Sequence, residues 1–176
     1  MESDIVYTYM KSPNGSILLA RSEVGLTHIN FQEGRHKVQP GASWRREDGP
    51  LLEAIDQLHG YFDGSRQAFD LPLAPAGTSF QQKVWRALQE IPCGETTTYG
   101  EIARRIGRPT ASRAVGAANG QNPLPIVIPC HRVIGAKGHL TGYAGGLKIK
   151  QALLEHERRV SGVAPAPAQL SLAEGM

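Results

Sequence analysis

In the stretch "PIVIPCHRVIG", Cys130 and His131 put a thiol beside an imidazole, the pairing from which cysteine nucleophiles are built. A cysteine attacks as its thiolate, so something must take its proton. An imidazole in that role is usually oriented by an acceptor on its other ring nitrogen. The apolar run Ile126, Val127 and Ile128 predicts a buried strand that ends at Pro129. Neighbours on a strand point to opposite faces, so contact between Cys130 and His131 requires a bend or a bridging water. Acids able to orient His131 are scarce in this half of the chain. Glu157 and Glu101 both qualify, and spacing does not choose between them. The competing reading of Cys130 is an inert core thiol, the commoner fate of a cysteine after an apolar run.

The elements that must carry these groups divide the 176 residues into two lobes of one compact unit. Short β-branched and aromatic runs, "DIVYTYM", "GSILLARS" and "GLTHINF", are separated by the turn signals "SPNG" and "SEVG" and predict an antiparallel meander. A helix comes next, with Leu51, Leu52, Ile55, Leu58, Tyr61 and Phe62 on its inner face and Gly64 near its end. "FDLPLAPAG" is a Pro/Gly-punctuated connection. It places the lobe boundary so that residues 1–76 form an N-terminal α/β lobe and 77–160 a mostly helical C-terminal lobe. Residues 161–176, rich in Ala and Pro, are expected to be a disordered tail.

The second lobe opens on a helix capped by Thr78 or Ser79, with Phe80, Val84, Trp85, Leu88 and Ile91 inward. Two shorter helices, Tyr99 to Ile106 and Thr110 to Asn119, are split by "GRP" and resemble a helix-turn-helix. The last helix carries Leu147, Ile149, Leu153 and Leu154.

Charge is distributed unevenly between the lobes. Up to Ala76 seven basic residues face ten acids, a net −3; from Gly77 onward twelve face six, a net +6. The second lobe therefore suits a polyanion, although a solvated basic face would look the same. Its second short helix is built from Ala111, Ala114, Gly116, Ala117 and Ala118, with Arg113 as the long basic residue near its centre. Such a face admits a phosphate backbone closely while offering few groups to read bases; close packing on a neighbouring helix is the plainer explanation.

Two cysteines, Cys93 and Cys130, are too few for a disulfide framework or an all-cysteine zinc site. With no apolar run long enough to span a bilayer, the expected location is cytoplasmic.

In order along the chain, "TTTYGEIA", "ASRAVGAANGQNP", "IPCHRV" and "TGYAGGLKIKQALLEHE" closely resemble the O6-alkylguanine-DNA alkyltransferases, from about Ser79 to Glu157, with a looser likeness over Ile5 to Leu73. The resemblance implies a ribonuclease H-like α/β lobe followed by a helical lobe with a winged-helix-like helix-turn-helix. It implies direct-reversal repair of double-stranded DNA, in which one alkyl group passes irreversibly from O6-alkylguanine, and from O4-alkylthymine, to the protein.

In the same way it implies that Cys130 is the acceptor, His131 its base through a water, and Glu157 the acid that orients the histidine. Asn122 would brace the turn before the cysteine, and Tyr99 would bond the minor-groove edge of the extruded guanine. Arg113 would fill the gap left in the base stack. Thr110, Ala111, Ser112, Ala114 and Gly116 would lie against the DNA, bound through its minor groove with little sequence preference. Tyr143, Ala144, Gly145 and Val133 would wall the pocket. Some relatives carry serine where this chain has Ala144, which removes one side-chain contact to the base.

No cofactor is implied, and the protein is expected to act as a monomer, with cooperative assembly on DNA left open. Some relatives hold zinc in the N-terminal lobe through cysteines and histidines. This chain has no cysteine before Cys93, so no metal is expected, and His28, His36 and His59 are read as surface or turn residues. Cys93 is read as structural. The alternatives are a cysteine hydrolase, which would turn over esters, and a non-enzymatic sensor of alkylated DNA, a class that replaces the acceptor cysteine.

Overall fold

Alternation of buried and partly exposed residues sets the first strand, and a run buried on both faces, Ile17 to Ala20, sets the second. The computed structural model describes residues 4–34, 36–143 and 145–162. Strands β1 (Val6–Ser12), β2 (Gly15–Arg21) and β3 (Leu26–Phe31) form the expected antiparallel meander, with Tyr9 opposite Leu18 and Leu19 opposite Ile29. A two-residue strand, β4 (Arg45–Arg46), adds itself to β1 in parallel, so the sheet order is β3-β2-β1-β4 and the sheet is not purely antiparallel. Two charged residues carry no strand periodicity, which is why "WRRE" does not read as one.

Helix α1 (Leu52–Asp63) buries Ala54, Gln57, Leu58 and Tyr61 and stops at Gly64, whose φ of 87° is the left-handed conformation that glycine takes without strain.

Helix α2 (Ser79–Leu88) begins at a capping box. The Thr78 hydroxyl accepts from the Gln81 amide at 3.1 Å, and the Gln81 side chain accepts from the Thr78 amide at 2.9 Å. Its Trp85 is buried and donates Nε1–H to the Ala118 carbonyl at 2.9 Å, tying α2 to the helical pair.

That pair is α3 (Tyr99–Arg105), preceded by the short strand β5 (Thr97–Thr98), and α4 (Ser112–Gly120), joined through Gly107 at φ 76°. Because α4 starts at Ser112, Thr110 and Ala111 precede it and Arg113 stands in its first turn rather than near its centre. Val115, Ala118 and Asn119 are buried while Ser112, Arg113, Ala114 and Ala117 face outward. The small residues thus serve both close packing and an open outer face.

The predicted strand through Ile126–Ile128 does not form. Residues 123–128 are turns and bends, and Ile126 has φ 75°, a backbone state no strand contains. All three side chains are nevertheless buried, so the apolar run reports burial correctly and conformation wrongly. The strand of this region comes later, as β6 (Val133–Ile134), which pairs in parallel with β5. The wing implied by the resemblance is not among the described elements.

Helix α5 (Leu147–Ser161) ends at Gly162, with φ 73°. It runs through Ser161, past the expected boundary at 160, and residues 163–176 of the expected tail lie outside the described residues.

One hydrophobic core runs without a break from Val6, Ile17 and Leu58 through Trp85 and Ile102 to Ile128 and Leu153. The two lobes therefore share a core across the "FDLPLAPAG" connection. Among the described residues no helix is long and apolar enough to cross a membrane.

The capping box gives a direct check. Thr78→Ala removes the acceptor for the Gln81 amide and is expected to lower stability by about 1 kcal/mol in denaturant unfolding, with the native fold retained.

Candidate active site

The turn that replaces the expected strand is what delivers the cysteine. Asn122 closes it: its Nδ2 donates to the Ile128 carbonyl at 2.8 Å and its Oδ1 accepts from the Leu124 amide at 2.9 Å. Pro129 then leads into a single 3-10 turn, Cys130–Arg132, whose three side chains are all buried. Asn119, at the end of α4, donates to the Cys130 carbonyl at 3.4 Å. The bend that contact between neighbours requires is therefore present.

Burial pushes the Cys130 thiol above its ordinary value, opposed by the Asn122 side chain, the charge of Lys150 and nearby backbone amides. A proton acceptor is accordingly needed for attack.

From the thiol's neighbours the chemistry converges on Glu157. Its Oε2 takes His131 Nε2 at 2.6 Å, and both side chains are completely buried. Arg132 donates Nε–H to Oε1 at 2.7 Å and Nη2–H to Oε2 at 3.1 Å, and spends Nη1–H on the Ile91 carbonyl at 2.5 Å. Tyr61, from α1, donates its hydroxyl to Oε2 at 2.6 Å. Burial works against the ionised carboxylate, but His131 and Arg132 outweigh it and hold Glu157 well below the usual carboxylate range. An ionised Glu157 accepts from Nε2–H, so in the neutral tautomer of the ring the lone pair lies on Nδ1. Nδ1 is buried without a hydrogen-bond partner among the described residues. It is the free basic site of the cluster. Glu101, the other sequence candidate, pairs with Arg104 and Arg105 on the surface of α3 and stands apart.

The opposite wall is made by β6 and the loop after it. Tyr99 shares a short hydrogen bond with the Thr141 hydroxyl, and Val133 is buried. Tyr143 is half-buried, its hydroxyl enclosed without a partner among the described residues and its ring edge-on to Phe31 of β3 at 6.4 Å between centroids. Gly145 lies so close to both rings that a Cβ would sit 3.0 Å from Tyr143 and 3.1 Å from Phe31. Ala144 lies outside the described residues.

A cavity of about 300 Å³ opens beside this wall, between Phe31 and Val38 on one side and Asn122, Pro125 and Gly145 on the other. Lys150, fully buried on α5, donates to the carbonyls of Val133 at 2.7 Å and Thr141 at 3.1 Å, clamping the middle of the loop to the strand after the cysteine. Burial pulls its ammonium down to about 8, partly offset by Cys130.

The residues expected at DNA stand apart from this cluster. Thr110, Ser112, Arg113 and Ala114 are exposed, and no hydrogen bond or ion pair engages the Arg113 side chain among the described residues. Ala111 is half-buried, as is Gly116, which faces the Tyr99 ring. Cys93 is half-buried, and burial pushes its thiol up to about 11, away from reactivity. His36 and His59 are exposed, whereas His28 departs from the expectation: it is on β3, half-buried, with its ring 5.0 Å from Trp44. Among the described residues no group of three metal ligands assembles.

Comparison with known families decides what this geometry belongs to. The 6-O-methylguanine DNA methyltransferase models match in two parts, the ribonuclease-like domain over residues 5–75 and the DNA binding domain over 79–159.

The chain belongs to the 6-O-methylguanine DNA methyltransferase family.

A methylated-DNA–protein-cysteine methyltransferase of Methanosarcina acetivorans is 56% identical over 151 residues, 86% of this chain and 97% of that protein. One from Mycobacterium tuberculosis is 48% identical over 168 residues, 96% of this chain and 98% of its own. The crystal structure of the Mycobacterium tuberculosis O6-methylguanine methyltransferase superposes with a TM-score of 0.82 at 48% identity, covering 92% of this chain and 96% of that one. A structure of that protein in complex with DNA matches equally well. The mixed α/β architecture is that of the methyltransferase family.

Three residues bonded into this arrangement escape the sequence reading: Tyr61, Arg132 and Lys150. Two carried a signal. Arg132 adjoins His131 in "PCHRV", and Lys150 lies on the stripe Lys150, Leu153, Leu154, Glu157, the spacing of a buried helix face on which a lysine is out of place. Tyr61 had none, because a tyrosine on an inner helix face reads as core.

Glu157→Gln tests the electrostatics. Leaving Arg132 without its counter-ion is expected to cost about 3–5 kcal/mol near neutrality. A carboxylate whose folded pKa is depressed stabilises above its ordinary value of 4.5, and that stabilisation is lost as the pH falls below it. The stability gap between wild type and Glu157→Gln should therefore narrow below pH 4.5 in unfolding curves taken across the acid range.

Proposed function

We propose that this chain repairs alkylated DNA by taking the alkyl group of O6-alkylguanine onto Cys130, once per molecule. The observation that carries this reading is the arrangement of a buried Cys130 thiol, His131 with Nδ1 unpartnered among the described residues, and an ionised Glu157 on its other nitrogen. The Cys130 thiol proton passes through a water to His131 Nδ1, and Glu157 stabilises the imidazolium that forms. The sulfur attacks the alkyl carbon, forming a C–S bond as the C–O6 bond breaks. Guanine leaves with its electron pair, and a proton returns to it as Tyr99 hydrogen-bonds its minor-groove edge. The thioether product has no leaving group in the chain that could restore the thiol, so the protein is consumed.

The lobes divide this work. Residues 77–160 would carry DNA binding and alkyl transfer, and residues 1–76 would support them. The extruded base enters between Tyr99, Val133 and the Tyr143–Gly145 loop, while Arg113 fills its place in the stack from the minor groove. Support comes from the exposure of Arg113 on an outer face of small residues, and from a half-buried Tyr99 close to Thr141. The protein binds as a monomer.

Intact mass after incubation with a methylated duplex should show one methyl increment, mapped to Cys130. Cys130→Ser should still bind DNA and accept nothing. Turnover beyond one equivalent would refute the single-use mechanism.

Arg113→Ala separates extrusion from chemistry. Unstacking a base costs a few kcal/mol, so single-turnover repair of duplex should slow by about one to three orders of magnitude. Free O6-benzylguanine needs no extrusion and should react at the wild-type rate. Equal slowing of both substrates would place Arg113 in support of the fold instead.

A further inference from the structure

We propose that Tyr61 is a positioning residue for the transfer reaction, through which the N-terminal lobe sets the orientation and basicity of the His131–Glu157 pair. This rests on the assignment of that pair as base and orienting acid, and adds to it a residue 96 positions away on α1.

Tyr61 meets α5 at two points. Its hydroxyl donates to Glu157 Oε2 at 2.6 Å, and its backbone carbonyl accepts from His156 Nε2 at 2.7 Å. The ring is 1% exposed and is held edge-on by Phe62 at 5.2 Å and His156 at 5.2 Å, with Phe69 tilted against it at 5.7 Å. A phenol fixed this firmly has little freedom to move its hydroxyl, so it acts as a stop for the carboxylate it touches.

Glu157 could otherwise rotate about its terminal bond. Arg132 grips both oxygens from the side of the 3-10 turn, and Tyr61 holds Oε2 from the side of α1. Oε2 is also the oxygen that faces His131. Tyr61 and His131 therefore share one acceptor, and each bond withdraws electron density that the other would use. The groups facing Glu157 are His131 and Arg132 from the turn and Tyr61 from α1, with the charge-sensitive Tyr143 and Cys93 farther off; His156 faces Tyr61. Of these, Tyr61 is the hydroxyl donor bonded to Oε2, and removing its oxygen leaves the ring's packing in place.

The test compares wild type, Tyr61→Phe and His156→Leu, using single-turnover alkyl transfer from free O6-benzylguanine and from a methylated duplex across pH 5 to 9. Without the hydroxyl, Oε2 binds the His131 N–H more tightly and the ring holds a proton to higher pH. Tyr61→Phe is expected to slow both substrates by about tenfold, as fits loss of one hydrogen bond to a charged group. The acid-side midpoint of its rate profile should move upward. His156→Leu breaks the other half of the contact without touching Glu157; it should lower the melting temperature and leave that midpoint where it is in wild type.

The proposal is overturned if Tyr61→Phe transfers at the wild-type rate with an unmoved midpoint, or if His156→Leu moves the midpoint equally. Failure of Tyr61→Phe to fold when His156→Leu folds would likewise make the hydroxyl a folding determinant and overturn it. Absence of transfer by the wild type would instead defeat the alkyl-acceptor reading itself.

Discussion

An ionised carboxylate completely enclosed by protein is costly unless its oxygens are satisfied, and Glu157 meets that condition with donors from two separate parts of the chain. His131 and Arg132 come from the turn that bears Cys130, Tyr61 from the first helix, and Glu157 itself from the last. Moving Arg132 would leave the buried carboxylate without its cation, and moving Tyr61 or His131 would leave Oε2 short of a donor. The packing of α1 against α5, the 3-10 geometry at Cys130 and the tautomer of His131 are in this sense one arrangement. The Arg132 contact to the Ile91 carbonyl extends it to the segment just after α2.

The same constraint explains an irregular backbone in the middle of the core. A strand through Ile126–Ile128 would have carried the thiol and the imidazole to opposite faces. The turn closed by Asn122, with Ile126 in the left-handed region, instead leads into a 3-10 turn whose side chains all stay inside. Strain of this kind costs on the order of 1–3 kcal/mol and persists where the surroundings over-determine it. Here they do: two bonds from Asn122, one from Asn119, and burial of the apolar side chains.

Lys150 plays the corresponding part for the pocket loop. A buried ammonium has three donors to place, and it places two on carbonyls, one of Val133 in β6 and one of Thr141 in the loop that follows. The loop is thereby fixed at Thr141 while Gly145 allows the close approach of Tyr143 and Phe31 farther along. The turn that bears Cys130 and the loop that bears Tyr143 are thus each anchored to α5, one through a carboxylate and the other through an ammonium seven residues away on the same buried stripe.

Amphipathic periodicity and turn residues were enough to locate the meander, α1, α2, the helical pair and α5, because burial of one face is a local property of spacing. Residue chemistry was enough to single out Cys130 and His131, and the order of four segments was enough to name the family they resemble. Conformation at the cysteine was not legible, since an apolar run reports that residues are buried and says nothing about how the backbone turns between them. Nor, from spacing, was the choice between Glu157 and Glu101. A carboxylate becomes the partner of His131 by lying within hydrogen-bond distance in a place closed to water, and that is settled by how α5 packs. Tyr61 marks the limit most clearly: alone it is one more core aromatic, and only the docking of helices nearly a hundred residues apart makes its hydroxyl part of the site.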